Sequence, residues 1–138
     1  MMQLAPYVSF AGQCEEAFEF YERCFGAKLG PIFRYAGTEF EKDAPPGWGD
    51  KVMHASVSFG DTVVMAADVA PERYDAPKGF SLSLQLSSVE HAERIFAELS
   101  EKGRVTVPLA KQFWAVRFGA VTDRFGVPWI INCEGSEA

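Results

Sequence analysis

The sequence predicts an α+β chain built from two copies of one module, each a strand, a helix and three further strands in that order. Three observations lead there. Two segments, Cys14 to Phe25 and Val89 to Leu99, carry apolar residues at helical spacing. The runs around them alternate apolar with polar residues, as half-buried strands do. The order of elements then repeats, with Phe59-Gly60 and Phe125-Gly126 at corresponding turns. A length of 138 residues suits one domain divided into two small pseudo-repeats. The expected modules cover 1–68 and 79–134, with a linker at 69–78.

Leu4 to Phe10 (LAPYVSF) reads as the first strand, broken by Gly12. In the helix that follows, Ala17, Phe18, Tyr21, Cys24 and Phe25 form one face, Glu15, Glu16 and Glu19 favour its N-terminal half, and Gly26 stops it. Lys28 to Tyr35 is expected to be a second strand and Glu39 to Asp50 (EFEKDAPPGWGD) a long loop. In Lys51 to Phe59, Met53, Ala55, Val57 and Phe59 alternate with His54, Ser56 and Ser58, so the first set should face the core. Gly60-Asp61 turns the chain into a strand at Thr62 to Ala67, and Asp68 to Lys78, with two prolines, is the linker.

In the second half, Phe80, Leu82, Leu84 and Leu86 alternate with Ser81, Ser83 and Gln85. Ser87 and Glu90 have capping-box spacing for a helix that buries Val89, Ala92, Phe96 and Leu99 and ends at Gly103. Arg104 to Leu109, Phe113 to Thr122 and Val127 to Cys133 supply the last three strands.

Composition narrows the function. Hydrophobic residues make up 48% and charged residues 23%, as in globular chains, and no apolar run approaches the ~20 residues of a membrane span. Thirteen Lys and Arg against nineteen Asp and Glu give a net charge of −6 with no basic run, so neither nucleic acid nor a membrane is an expected partner. Met1 to Phe10 lacks the pattern of a secretory signal, so a cytoplasmic location is expected. Cys14, Cys24 and Cys133 are odd in number and lack CxxC spacing, which predicts small buried hydrophobes. GxSxG, GxxxxGK[ST] and strand-linked GxGxxG motifs are all missing from the sequence.

PYVSFAG at Pro6 to Gly12, AFEFYERCFGA at Ala17 to Ala27, KVMHASVSFGD at Lys51 to Asp61 and FWAVRFGAVTDRFGVPWIIN at Phe113 to Asn132 resemble the PhnB-like branch of the vicinal oxygen chelate superfamily, the glyoxalase, bleomycin-resistance and dioxygenase group. The resemblance covers nearly the whole chain in order. It implies two βαβββ modules whose mostly antiparallel sheets form a cup with helices on the convex side, and a homodimer. It also implies a cation site in metal-dependent relatives, held by one His or Glu from each of the first, fourth, fifth and eighth strands. Those positions here carry Ala5, Pro6 or Tyr7, then Val64, Ser81 and Ile130, none a customary ligand, so no metal and no other cofactor is expected.

What remains is a candidate lining of neutral polar and aromatic side chains. It comprises Tyr7 and Ser9 on the first strand, His54 and Ser56 on the third, Ser81, Ser83 and Gln85 on the fifth, Trp114 and Arg117 on the seventh, and Asn132 on the eighth. His54 could recognise a ligand or be a strand histidine satisfied by a hydroxyl. Arg117 could take an anionic group or pair with a surface carboxylate, and alternation allows only one of Trp114 and Arg117 to face the ligand. Three functions fit: a metal-free domain that binds a small-molecule ligand to sequester or sense it, a metal-dependent lyase or dioxygenase with ligands relocated to His54 with Asp68, Asp123 or Glu134, and an interaction module whose cup is filled by its own side chains.

Overall fold

The computed structural model describes residues 2–134, in which the chain divides into two compact units, Met1–Asp75 and Ala76–Ala138. Both are α+β. Unit 1 runs β1 (Tyr7–Phe10), α1 (Cys14–Phe25), β2 (Lys28–Leu29), β3 (Phe33–Arg34), β4 (Val52–Phe59) and β5 (Thr62–Asp68). Its sheet order is β1-β5-β4-β2, with β3 also pairing with β4 and β1 parallel to β5. Unit 2 runs β6 (Leu82–Leu86), α2 (Val89–Ser100), β7 (Arg104–Gln112), β8 (Ala115–Thr122) and β9 (Pro128–Cys133) in the order β6-β9-β8-β7, with β6 parallel to β9. Among the described residues no helix is long and apolar enough to cross a membrane.

In unit 1 the α1 side of the sheet carries Val8, Phe10, Ala55, Val57, Val64 and Ala66, all buried. Phe18 of α1 meets Phe10 edge-on at 6.1 Å, and Phe25 meets Phe59 at 5.2 Å. Gly26 closes α1 in the left-handed conformation (φ 71°), its N–H donating to Glu22. The N-terminus of α1 has no local side-chain cap. Asp68, from the end of β5, takes that role: Oδ1 accepts from the N–H groups of Gly12 (3.0 Å) and Cys14 (2.9 Å), and Oδ2 from Val52 N–H (3.0 Å). The carboxylate thus joins β5, the start of α1 and the start of β4 inside the unit. Beside it burial, reinforced by the charges of Asp68 and Glu15, pushes the Cys14 thiol well above the ordinary thiol range. All three cysteines are buried.

Several expected elements change. The strand expected at Lys28 to Tyr35 is two short pieces, β2 and β3, because Pro31 lacks an N–H for the ladder and Gly30 lies against β4. Gly30 N–H donates to Ser56 C=O (2.8 Å), and a Cβ at Gly30 would sit 2.7 Å from Ser56 Oγ. On β4 the pairing slips between Phe33 opposite His54 and Arg34 opposite Val52, a bulge that breaks the expected alternation. Val52 and Ala55 are both buried despite their odd separation. The long loop contains short 3-10 turns at Glu41–Asp43 and Trp48–Asp50.

In unit 2, α2 is capped one residue later than expected. Ser88, extended in backbone, accepts from His91 N–H (3.2 Å), so Ser87 and Glu90 do not make the box. The left-handed residue after the helix is Lys102 (φ 59°) and not Gly103. Gly103 is required by close approach: a Cβ there would lie 2.6 Å from both Leu99 O and Thr122 O. The strand expected from Phe113 begins at Ala115. Gln112 pairs with Ala115, leaving Phe113 and Trp114 as the hairpin turn. The Thr-Asp-x-Phe-Gly-Val-Pro-Trp run makes the next turn, where Asp123 Oδ1 accepts from Phe125 N–H (2.8 Å) and Val127 N–H (3.0 Å) and Oδ2 from the Trp129 indole (2.9 Å).

Asp68→Asn replaces one acceptor oxygen with a donor against buried N–H groups and should cost about 2–4 kcal/mol in urea unfolding with an unchanged m-value. Asp61→Asn, at the exposed turn, should stay within about 0.5 kcal/mol of the parent.

Candidate functional site

Strand pairing assigns each candidate residue to a sheet face. On β1 and β5, Tyr7 lies opposite Met65 and Ser9 opposite Ala67, and Met65 in turn lies opposite Ser56 on β4. Tyr7, Ser9, Ser56, Ser58 and Met65 therefore share the face turned away from α1. His54 is on the same face, where its Nδ1 shares a 3.3 Å hydrogen bond with the Tyr7 hydroxyl. Phe33 flanks the imidazole with ring centroids 6.3 Å apart. Burial, with smaller contributions from Cys14 and Tyr35, raises the Tyr7 phenol above the ordinary tyrosine value, so at neutral pH it is a neutral hydroxyl.

In unit 2, Ser83 lies opposite Ile130, Gln85 opposite Asn132, and Asn132 opposite Phe118. A side-chain chain runs across this face. Asn132 Nδ2 donates to Gln85 Oε1 (2.7 Å) and to Glu134 Oε1 (3.3 Å), and Gln85 Nε2 donates to Ser83 Oγ (3.2 Å). Asn132 Oδ1 is buried and has no partner among the described residues, an unsatisfied acceptor beneath this polar face. Trp114 leans edge-on against Phe118 at 5.2 Å and so borders the same face. Phe113 at the hairpin tip is 97% exposed.

Two candidates lie elsewhere. Arg117 is opposite Cys133 on the α2 side of the sheet and pairs with Glu93 of α2 at 3.4 Å, the alternative to anion binding. Ser81 lies one residue before β6, outside the ladder, in which Ser83 is the first paired residue of the same parity.

Pairing also revises the positions equated with the family's cation site. Val64 pairs with Val57 and is buried under α1, so the residue facing away is Met65, opposite Tyr7. The corresponding pair in unit 2 is Ser83 and Ile130. Neither a phenol with a thioether in unit 1 nor a serine hydroxyl with an alkyl group in unit 2 supplies the carboxylate, imidazole or thiolate donors that sites for divalent cations commonly use. Asp68 and Asp123, candidates for relocated ligands, spend their oxygens on the donors described above. Among the described residues no three His, Cys, Asp or Glu side chains are grouped to hold a metal.

Phe33 and Met65 had no individual signal in the sequence. Phe33 sat in a strand whose break at Pro31 was not apparent, and Met65 becomes visible only when β5 is given the correct parity.

Comparison with known proteins agrees with the architecture. The model of the Glyoxalase/Bleomycin resistance protein/Dioxygenase superfamily matches residues 3–131. The chain belongs to this superfamily. It is 36% identical to Protein YjdN of Escherichia coli K12, with 95% of each chain covered. The crystal structure of PA1353 from Pseudomonas aeruginosa is 41% identical, covers 99% of this chain and 100% of its own, and superposes with a TM-score of 0.88. The PhnB protein from Bacillus cereus, 24% identical with 96% and 99% coverage and a TM-score of 0.82, shares the fold.

Tyr35 provides a pH test of the superfamily scaffold here. Its hydroxyl donates to Asp68 C=O (2.6 Å), and burial, then the Asp68 charge, raises its phenol above the ordinary value while Arg73 opposes the shift. A raised folded value favours the protonated phenol. Its contribution is complete below the unfolded tyrosine value of about 10 and is lost as pH rises through the folded value. Tyr35→Phe should cost about 1 kcal/mol near neutrality for the lost hydrogen bond, with the deficit shrinking above about pH 10 in urea titrations.

Proposed function

We propose that this member of the superfamily binds a small, uncharged polar molecule through side-chain hydrogen bonds and ring contacts, without a resident metal. The observation carrying this reading is the donor set on the two strand faces. Tyr7 and Met65 in one module, and Ser83 and Ile130 in the other, stand where metal-dependent relatives use His or Glu. What these faces offer is hydroxyl, amide, imidazole and aromatic chemistry, which orients a ligand and supplies no Lewis acid.

The amide chain of Asn132, Gln85 and Ser83, with its unpartnered Asn132 Oδ1, supports the same reading. A buried acceptor without a donor costs about 1–3 kcal/mol, and a side-chain rearrangement that opens it to a ligand N–H or O–H would recover part of that. Gln85 and Ser83 hold the Asn132 amide in one orientation, so its polarity is set before any ligand arrives. Trp114 and Phe118 supply an aromatic border to this face of unit 2; the face of unit 1, by itself, offers the Tyr7 and His54 donor and acceptor pair with Phe33 beside it. Sequestration or sensing follows from such surfaces more directly than turnover, because no acid–base pair is aligned across either one.

Metal analysis of the purified protein, followed by calorimetric titration with Zn, Ni, Mn and Fe(II), should find no stoichiometric ion. One bound ion per chain, lost on substituting Tyr7 or Ser83, would overturn the proposal. Native mass spectrometry of the same preparation should show a non-covalent adduct of small-molecule mass, reduced in Asn132→Ala with the unfolding midpoint near that of the parent.

A further inference from the structure

Unit 1 contains a cleft of about 500 Å³ apart from the polar strand face, lined by Tyr35, Phe40, Trp48 and Met53, with Asp43 and Arg73 also on its wall. That volume lies within the range of about 300–1,000 Å³ typical of small-molecule sites. We propose that this cleft binds a flat aromatic carboxylate, its rings against Trp48 and Phe40 and its carboxylate on the Arg73 guanidinium.

The aromatic wall is built before any ligand arrives. Tyr35 and Trp48 meet with ring centroids 6.2 Å apart at 58°, and the Tyr35 hydroxyl is already committed to Asp68 C=O, so Tyr35 presents its ring. The loop carrying Trp48 is tied down by Ala36 N–H to Gly49 C=O (3.0 Å), Tyr35 N–H to Lys51 C=O (3.1 Å) and Gly37 N–H to Glu41 Oε1 (3.1 Å). Met53 reaches the cleft because the β4 bulge takes it out of the α1 face.

The charge argument rests on Arg73. It ends the short turn Pro71–Arg73, and its guanidinium makes no hydrogen bond or ion pair among the described residues. It lines the cleft together with Tyr35 and Trp48, which sets the charge on the same wall as the rings. Arginine's planar fork matches a carboxylate bidentately and stacks on rings, so an aromatic acid uses both properties. Asp43 makes no ion pair with Arg73 among the described residues, and its carboxylate on the same wall opposes an anion, so its removal should favour one.

The test compares 2-naphthoate with its uncharged analogue 2-naphthamide, by calorimetry and tryptophan fluorescence. Naphthoate should bind more tightly than the amide and change the emission, and the emission change should vanish in Trp48→Phe. Arg73→Gln, at an exposed position, should weaken naphthoate about tenfold or more and leave the amide within about twofold. Asp43→Asn should leave naphthoate binding equal or tighter. Equal affinity for the two probes, no effect of Arg73→Gln, or no binding of either at millimolar concentration would overturn the proposal. If naphthoate binding instead depends on Tyr7 or Asn132 and not on Arg73, the cleft assignment fails while the small-molecule reading of the strand faces stands.

Discussion

The first module depends on one buried carboxylate. Asp68, 1% exposed, satisfies three backbone N–H groups from two other parts of the chain, and its own carbonyl accepts the Tyr35 hydroxyl. A negative charge at the N-terminus of α1 also complements the helix dipole. This explains how a helix whose preceding residue, Gln13, offers no cap can begin where it does. The same carboxylate fixes the entry to β4, and so the bulge that re-aims Met53.

Asp123 does comparable work in the second module by a more local route. It accepts from two backbone groups within its own turn and from the Trp129 indole on the strand that follows. The sequence run most diagnostic of the superfamily is therefore a turn and a buried polar lock. Its specificity as a motif reflects a folding requirement. A buried carboxylate that already accepts three such donors has little capacity left for a substrate or an ion, so a strong motif and a functional site lie in different places.

Much of the fold was legible because periodicity survives tertiary packing. The α1 face of Ala17, Phe18, Tyr21 and Cys24 is buried as its spacing predicts, and the strand, helix, three-strand order holds in the second module and, with one strand split in two, in the first. Departures came where backbone geometry outweighs pattern. Pro31 splits a strand, the β4 bulge reverses its alternation, and Phe113-Trp114, with strong strand propensity, makes a hairpin turn because the ladder closes at Gln112 and Ala115. For the site, residue types were readable and facing was not. Arg117 falls on the helix side through a parity set by β9, and Val64 and Met65 exchange roles on a one-residue shift, which moves every side chain to the other face. Tyr35, Trp48 and Arg73 come from a strand end, a loop and a linker, segments without periodicity to show that they meet.

Charge adds a final constraint. The chain carries −6 overall, which on average repels anions and would argue against a carboxylate ligand. At physiological ionic strength exposed charges are screened beyond about 8 Å, so the field a ligand meets in the cleft is set by its immediate neighbours and not by the total. Those neighbours are one guanidinium with no ion pair among the described residues, the Asp43 carboxylate that opposes it on the same wall, and a phenol held neutral by burial and by the Asp68 charge. On the polar strand face the neighbours are a neutral phenol, serine hydroxyls and an imidazole. The two regions of the first module therefore select different partners, one through a localised positive charge against aromatic rings, the other through hydrogen bonds without net charge.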